Sequence, residues 1–377
     1  MSLRAQLDPA IWPAYASSAL RIVGRWIRGP RRFDGDAAAV CRAVVDACWT
    51  GAYFAASVGH FRQAWIRDLG FAAGSLVRIG EGDRLRASLA WLLDVFAHAG
   101  RVTTTVFPGR LARDVWTDGV DSLPLLLHAL QVAGADDLVA RHGGWLGREV
   151  RRYRTVVLDE RTGLVRDDRF FSTHRDTIRT RSNAYANAML VLLDRVLRET
   201  GWLPSPISPG VADRFVERFW RGDRFVDRAD TAEVTGDATV VPFFFGVVPD
   251  ELGLRAALRA AETAGLTEPL PLRYAARRDP SAEDPVQAWF VPDYQGTAIW
   301  TSLGAMYVTL LARADPAAAA PVVGRYRRLV ETEGTLWEVL EVRGGRLRPY
   351  RGRFGCFLAD EGMLWAAILA DLFRRAP

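Results

Sequence analysis

Apolar residues recur along this chain in two alternating kinds of segment. Six segments are apolar on nearly every side, which is typical of buried helices. Six others carry Arg, Asp and Glu along one face only, which is typical of helices that cover a core. The apolar segments are residues 69–79, 121–132, 185–197, 239–248, 298–312 and 362–373, and the amphipathic segments are residues 36–49, 83–99, 136–156, 210–220, 251–264 and 316–331.

Strict alternation of the two kinds predicts an inner ring of helices inside an outer ring, an all-α (α/α)6 toroid. Short turns alternate with long, charged, aromatic-rich connectors, so the long connectors all meet at one end. Functional groups concentrate on loops held by a rigid scaffold, and this end is therefore the expected site. The segment 239–248 has a second interpretation as a short buried strand, because it contains Pro242 and three consecutive Phe. The long connectors are residues 50–67, 100–117, 158–180, 220–236, 265–294 and 332–357.

The chain has 377 residues and contains no linker-like or low-complexity stretch. We therefore expect one catalytic domain, residues 33–377, preceded by an N-terminal extension, residues 1–32. The extension is amphipathic and interrupted by Pro13 and Pro30, and it lacks the continuous apolar core of a secretory signal. No apolar run approaches the ~20 residues of a membrane span, so no membrane partner is expected.

Charge and cysteine content narrow the classes of partner. All 49 basic residues are Arg, and the net charge is +5. Because Asp and Glu are interspersed throughout and no nucleic-acid motif is present, no nucleic-acid partner is expected. Three sparse cysteines, Cys41, Cys48 and Cys356, indicate reduced thiols and a cytoplasmic location. The five His have no ligand spacing, so neither a metal nor a cofactor is expected. The pattern does not define an oligomeric state.

The first long connector ends in Trp65-Ile66-Arg67-Asp68, directly before an apolar segment. An indole can stack on the apolar face of a sugar, while a guanidinium and a carboxylate bridge neighbouring hydroxyls. The pattern therefore indicates a sugar-binding site. The alternative is that Asp68 simply caps the helix, and the two roles are compatible.

Three motifs, in order along residues 50–375, resemble those of glucoamylases and their (α/α)6 relatives, which include trehalases, neutral invertases, processing α-glucosidases and mannosylglycerate hydrolases. The first is Trp65-Ile66-Arg67-Asp68. The second runs from Asp293 to Trp300, and the third is Gly334-Thr335-Leu336-Trp337-Glu338-Val339, followed by Gly344-Gly345. The resemblance implies an inverting glycosidase, with a general acid on the third long connector and a general base on the sixth.

Inverting hydrolysis needs one protonated and one ionised carboxyl group, about 6.5–9.5 Å apart. On the positions that the resemblance implies, Asp176 is the expected acid and Glu338 the expected base. Asp168 and Glu341 remain the alternatives. Glucoamylases carry a Glu at the acid position, so the Asp here favours the trehalase-like and invertase-like members.

Other side chains of the connectors suit recognition of hydroxyls or stacking on a sugar ring. A clamp for a substrate carboxylate is also suggested, although pairing with Asp167, Asp168 and Asp176 is the alternative. The arginines that could include the clamp are Arg166, Arg169, Arg175, Arg179 and Arg181. Glu233 is in addition a reserve acid. The expected substrate-binding residues are Trp65, Arg67, Asp68, Trp116, Asp118, Arg181, Asp230, Glu233, Tyr294, Gln295, Trp300 and Trp337.

The sequence thus predicts an inverting, exo-acting glycoside hydrolase that cleaves a short α-linked saccharide or glycoside. One alternative is a sugar epimerase or isomerase on the same toroid, which would need a base such as His60 or His174. A second alternative is a toroid that binds saccharides without catalysis.

Overall fold

The computed structural model describes residues 12–115, 117–355 and 358–375. Six helices form a closed inner ring, because each packs against the next and the last packs against the first. They are buried along most of their length, as expected for segments with no polar face. The inner helices are α3 (Ile66–Arg78), α5 (Ser122–Val132), α7 (Ala184–Thr200), α9 (Gly236–Phe244), α12 (Thr301–Ala314) and α14 (Ala366–Arg375).

Six amphipathic helices surround this ring, and each packs against the inner helix that precedes it around the ring. The predicted (α/α)6 toroid is confirmed. The segment 239–248 contributes to helix α9 despite Pro242, so its interpretation as a strand is wrong. The outer helices are α2 (Ala37–Cys48), α4 (Gly82–Ala99), α6 (Asp136–Val157), α8 (Val211–Phe219), α10 (Leu254–Thr263) and α13 (Pro316–Glu333).

Two helices lie outside the double ring. Helix α1 (Trp12–Arg28) lies within the proposed N-terminal extension, and the short helix α11 (Pro285–Phe290) lies in the fifth long connector. Asp284 begins α11 by accepting hydrogen bonds from the backbone N–H groups of Val286 and Gln287. No helix in the described ranges is long and apolar enough to cross a lipid bilayer.

Short antiparallel strands join the long connectors at one end of the toroid. Two three-stranded sheets and one hairpin are formed, and the sequence pattern predicted none of them, because runs of two to five residues are too short to show a period of two. The strands are β1 (Ala64–Trp65), β2 (Thr105–Phe107), β3 (Leu111–Arg113), β4 (Leu158–Asp159), β5 (Leu164–Val165), β6 (Ile299–Trp300), β7 (Val339–Arg343) and β8 (Arg346–Pro349).

Backbone pairing around this end forms a belt. We number the long connectors loop 1 to loop 6 in chain order, extending each to the inner helix that follows it. Loop 4, residues 220–235, takes no part in the belt, because loops 3 and 5 pair directly. The belt consists of β1–β2 between loops 1 and 2, Gly119–Ser172 between loops 2 and 3, Ile178–Glu283 between loops 3 and 5, β6–β7 between loops 5 and 6, and Ser57–Met363 between loops 6 and 1.

A glycine in α12 permits close contact between the inner and outer rings. A Cβ at Gly304 would lie 1.7 Å from the Tyr326 hydroxyl oxygen and 2.4 Å from the Pro271 carbonyl oxygen. Tyr326 is buried and donates its hydroxyl to that same carbonyl. No side chain larger than hydrogen fits here without displacing a buried hydrogen bond.

We predict that Gly304→Ala lowers the free energy of unfolding by roughly 1–3 kcal/mol, because the added methyl overpacks this contact. Chemical denaturation followed by circular dichroism measures the change. Gly324→Ala on the outer helix α13 is the control, since its Cβ would meet only the end of the Arg328 side chain at 3.5 Å. Equal stability of the two variants would contradict the proposed packing constraint.

Candidate active site

A cavity of about 310 Å³ opens among the loops at the belt end of the toroid. Helix α3, loop 3 and loop 6 contribute the carboxyl groups Asp68, Asp176 and Glu338 to its wall. Seven aromatic side chains also line it. They are Phe61, Trp65, Phe71, Phe107, Tyr294, Trp300 and Trp365.

Asp176 lies in loop 3, eight residues before α7. Its carboxylate accepts a 2.5 Å hydrogen bond from the Ser172 hydroxyl and a 3.0 Å bond from the Arg67 guanidinium. Burial raises the pKa of Asp176, and the positive charge of Arg67 opposes that rise. The carboxyl group is therefore fixed on two sides and more readily protonated than an exposed Asp.

Arg67 lies in the first turn of α3 and is buried between two carboxylates. Its Nε donates to Asp121 at 2.6 Å, and its Nη1 donates to Asp176 at 3.0 Å. The Tyr185 hydroxyl donates to the same Asp121 at 2.5 Å. Because much of the hydrogen-bonding capacity of the Arg67 guanidinium is already used by protein groups, the main effect of Arg67 is to hold Asp176 in place.

Glu338 lies in loop 6 immediately before β7, and its side chain is buried. Its Oε2 accepts a 3.1 Å hydrogen bond from the backbone N–H of Asp360, and the Tyr294 hydroxyl bonds to the same carboxyl group. Burial raises the pKa of Glu338 to about 7, while the Tyr294 hydrogen bond lowers it. Both ionisation states of Glu338 are therefore populated near neutral pH.

Asp360 connects Glu338 to the N-terminal helix. Its carboxylate accepts from the backbone N–H groups of His60 and Phe61 and forms a 3.2 Å ion pair with Arg25 of α1. The neighbouring charges hold the pKa of Asp360 below its usual range. A Cβ at Gly59 would lie 1.8 Å from this carboxylate, so only glycine allows loop 1 to wrap so closely around it.

Asp68 also faces the cavity from the first turn of α3. Burial raises its pKa to about 8, and the nearby Glu338 charge adds to that rise while Arg67 opposes it. At neutral pH most Asp68 is protonated and can donate a hydrogen bond. Trp65 precedes it in β1 and lines the same cavity. The side chain of Asp68 makes no cap hydrogen bond, since Trp65 occupies the N-cap position.

The second motif lies on the opposite wall. Tyr294, Gln295 and Trp300 all line the cavity. The Gln295 amide accepts from the Thr177 backbone N–H at 2.5 Å and donates to the His174 carbonyl at 3.0 Å, which ties loop 5 to loop 3 beside Asp176. The Trp300 indole donates to the Tyr294 carbonyl at 2.7 Å. These contacts orient the aromatic wall.

Four expected polar binding residues do not line the cavity. Asp118 pairs with Arg152 and Arg169, and Asp230 pairs with Arg228 in the solvent. Glu233 and Asp230 belong to loop 4, which the direct pairing of loops 3 and 5 keeps away from the cavity. Arg181 is exposed and lies over the Phe170 ring at 5.1 Å.

One expected aromatic contact is not formed. Trp337 is buried away from the cavity, and its indole N–H donates to Glu333 at 3.1 Å. The expected contact of Trp116 lies outside the described residues.

The alternative catalytic residues are also away from the cavity. Asp168 is exposed and paired with Arg166, and Glu341 is paired with Arg343 on β7. Of the arginines considered for a carboxylate clamp, only Arg166 has one of the expected partners, among the described residues. Arg169, Arg175 and Arg179 pair instead with Asp118, Asp227 and Asp284. Neither Arg179 nor Arg181 reaches the cavity wall.

Several cavity residues were not expected to contact substrate. Trp365 and Met363 precede α14, Phe71 projects from α3, and Phe61 and Phe107 come from loops 1 and 2. Trp365, Met363 and Phe71 have mostly apolar sequence neighbours and are typical of core residues. Nothing in the pattern indicates which apolar residues face a cavity. The short sequence distance of Phe61 from Trp65 was the one available signal.

His174 is the one imidazole on the cavity wall among the described residues. It is buried among the rings of Phe71, Tyr185, Tyr274 and Trp300. Burial lowers the pKa of His174 well below its usual value, so the ring is neutral. Within the described ranges, no three His, Cys, Asp or Glu side chains are placed to hold a metal ion.

Comparisons with solved structures identify the class of fold. A glycosidase variant in complex with glucose superposes with a TM-score of 0.64 at 15% identity, covering 89% of this chain and 95% of that one. A mannosylglycerate hydrolase from Thermus thermophilus, with Tris and D-glycerate, gives 0.57 at 16% identity, covering 89% and 99%. A rhamnosidase from Klebsiella oxytoca, with rhamnose, gives 0.59 at 16% identity, covering 92% and 65%.

The chain therefore shares its fold, an (α/α)6 toroid, with these three solved structures. No family model matches the chain, and no curated protein sequence matches it.

We predict that Arg67→Met lowers the free energy of unfolding by about 3–5 kcal/mol at neutral pH, because it leaves two buried carboxylates without their partner. Differential scanning calorimetry and chemical denaturation measure the loss. Arg179→Met is the matched control: its pair with Asp284 is largely exposed and contributes about 0–1 kcal/mol. A loss for Arg67→Met no larger than that of the control would show that the buried pair gives no net stabilisation.

Proposed function

We propose that this protein is an inverting glycoside hydrolase in which Asp176 is the general acid and Glu338 the general base. The observation that carries the proposal is that these two carboxyl groups, 162 positions apart in the sequence, line one aromatic cavity together. The aromatic wall suits the apolar faces of a sugar ring. Asp68 and Gln295, both on the wall, suit its hydroxyls.

The reaction needs opposite protonation states at the two carboxyl groups. Asp176 gives its proton to the glycosidic oxygen as the bond from that oxygen to the anomeric carbon breaks. Glu338 takes a proton from a water molecule, whose oxygen attacks the anomeric carbon from the opposite face. The product carries the inverted configuration. The raised pKa of Asp176 supports its role as the acid, and the donors around Glu338 support an ionised base.

The size of the cavity supports exo cleavage of a small substrate. At about 310 Å³ it lies at the lower end of the roughly 300–1,000 Å³ range of ligand pockets, which leaves room for one sugar ring and little more. A short α-linked saccharide or glycoside is the substrate class that we propose. Among the described residues, the cavity wall has no unpaired arginine that would bind a substrate carboxylate. The wall therefore does not favour a charged substrate group over a neutral one.

Glu338→Gln and Asp176→Asn should each lower kcat by about 10²–10⁴-fold, because each removes one proton-transfer step. Glu341→Gln is the control and should retain activity, since Glu341 pairs with Arg343 outside the cavity. Proton NMR of digests of a glycoside library reports substrate and anomeric configuration in one measurement.

A first-formed product that keeps the anomeric configuration of its substrate would contradict inversion. If His174→Ala abolished turnover while Glu338→Gln left it intact, the epimerase alternative would be favoured. Binding of saccharides without any product would favour the non-catalytic alternative.

The pH dependence should report on Glu338. The base works only when ionised, so kcat/KM should fall as the pH drops through its pKa of about 7. Tyr294→Phe removes a donor that stabilises the charged form, so the pKa rises and the acidic limb of the profile moves up by about 0.5–1 pH unit. Tyr307→Phe, on α12 and away from the cavity, should leave the limb in place. An unchanged or lower limb in Tyr294→Phe would argue against Glu338 as the base.

A further inference from the structure

Helix α1 presents its apolar side to solvent. Seven residues that lie within about 120° of the helix circumference are exposed, and five of them are large. The Arg25 side chain on the opposite face is buried against Asp360 and Glu361. The orientation is therefore the reverse of that expected for a helix packed on a core. The exposed stripe consists of Trp12, Ala16, Ala19, Leu20, Val23, Trp26 and Ile27.

The charges around this stripe have one sign. Residues 9–33 contain five arginines, namely Arg21, Arg25, Arg28, Arg31 and Arg32, and no Asp or Glu. A helix with tryptophans near both ends of its apolar face, and with arginine as its sole charged residue type, has the composition of a helix that lies in the plane of an anionic membrane surface. If a second copy of the chain covered this face instead, two basic segments of like charge would be brought together.

A second exposed apolar surface borders the candidate active-site cavity. The short helix α11 exposes Val286, Trp289 and Phe290, and the Trp289 ring contacts Phe354 at 4.8 Å. Gln287 and Val291 of this segment line the cavity, as does Ser18 of α1. Arg351 and Arg353, close to Phe354 in the chain, are exposed. Apolar and basic side chains thus border the cavity from two elements.

A groove leads from the cavity along α1. It has a volume of about 450 Å³ and shares Ser18, Gln63 and Phe107 with the cavity. Pro13, Pro108 and Leu111 line it together with Arg21, His60 and Arg62, and most of its exposed surface is apolar. A chain of methylene groups attached to a sugar in the cavity would lie in this groove, beneath α1 on the side opposite the exposed stripe.

From these observations we propose that α1 docks on an anionic membrane surface and that the substrate is a glycolipid, with its sugar in the cavity and its acyl or alkyl chain in the groove. The substrate class rests on the proposed hydrolase activity, whereas the docking does not. The expectation of no membrane partner considered a spanning segment, and a helix in the membrane plane requires none.

Docking is tested by flotation of the full chain with vesicles of phosphatidylcholine alone or mixed with phosphatidylglycerol. Binding should be at least about tenfold tighter to the anionic vesicles, because each arginine near the surface contributes. A variant with Leu20→Glu, Trp26→Glu and Ile27→Glu should lose binding by a similar factor. The matched control is Val77→Glu with Val342→Glu, two exposed apolar residues away from α1, with circular dichroism confirming that both variants fold.

The substrate class is tested separately with alkyl glycosides of increasing chain length. The value of kcat/KM should rise at least about tenfold from the methyl to the dodecyl glycoside, because the groove buries the chain. Leu111→Trp, which fills the groove, should abolish this rise and preserve hydrolysis of the methyl glycoside.

The outcomes separate the two parts. Vesicle binding without hydrolysis of any glycoside would contradict the hydrolase and leave the docking supported. Hydrolysis without vesicle binding, or equal binding to neutral vesicles, would overturn the docking. A dimer in sedimentation equilibrium that the triple α1 variant dissociates would also overturn it, since a second copy would then cover the face. Equal kcat/KM across chain lengths would overturn the glycolipid assignment.

Discussion

The closed contact of the six inner helices is the constraint on which the rest of this structure depends. Each inner helix is covered on both sides by its neighbours in the ring and on the outside by an amphipathic helix, so none has a face left for water. Because the chain must leave the ring and return six times, every long loop meets the others at one end. Two carboxyl groups from distant parts of the sequence can share a cavity only as a result of this closure.

Within the cavity, burial acts on three carboxyl groups in the same direction. Asp68, Asp176 and Glu338 all have raised pKa values because water is largely excluded around them. The neighbouring donors then distinguish them: Arg67 and Ser172 hold Asp176, whereas a backbone N–H and a tyrosine hydroxyl hold Glu338. The electrostatic difference between Asp176 and Glu338 thus comes from directed hydrogen bonds in a shared surrounding of low polarity.

The toroid could be predicted from the sequence, because the spacing of apolar and polar residues along a helix indicates how many of its sides are buried. Helix α9 was recovered as an apolar segment even though its Pro242 suggested a strand. The residues of a loop follow no regular spacing, so the sequence does not predict the direction of each side chain. Trp337 therefore points to Glu333 instead of the cavity, and Trp365 reaches the cavity although it read as core. The expected residues Arg67, Asp68, Asp176, Tyr294 and Glu338 all line the cavity, because each lies on a long connector at this end or in the first turn of the helix that follows one.

The belt of backbone pairing has a gap at loop 4, and this breaks the sixfold equivalence of the barrel. Loops 3 and 5 meet directly, so residues 220–235 lie beside the rim without bordering the cavity. The tip of this loop, residues 228–233, can change in length without reaching Asp176 or Glu338. Asp227 must stay in place, because it pairs with Arg175 beside Asp176 and its carbonyl accepts from the Ala184 backbone N–H. The tip is therefore the part of this rim that tolerates an insertion.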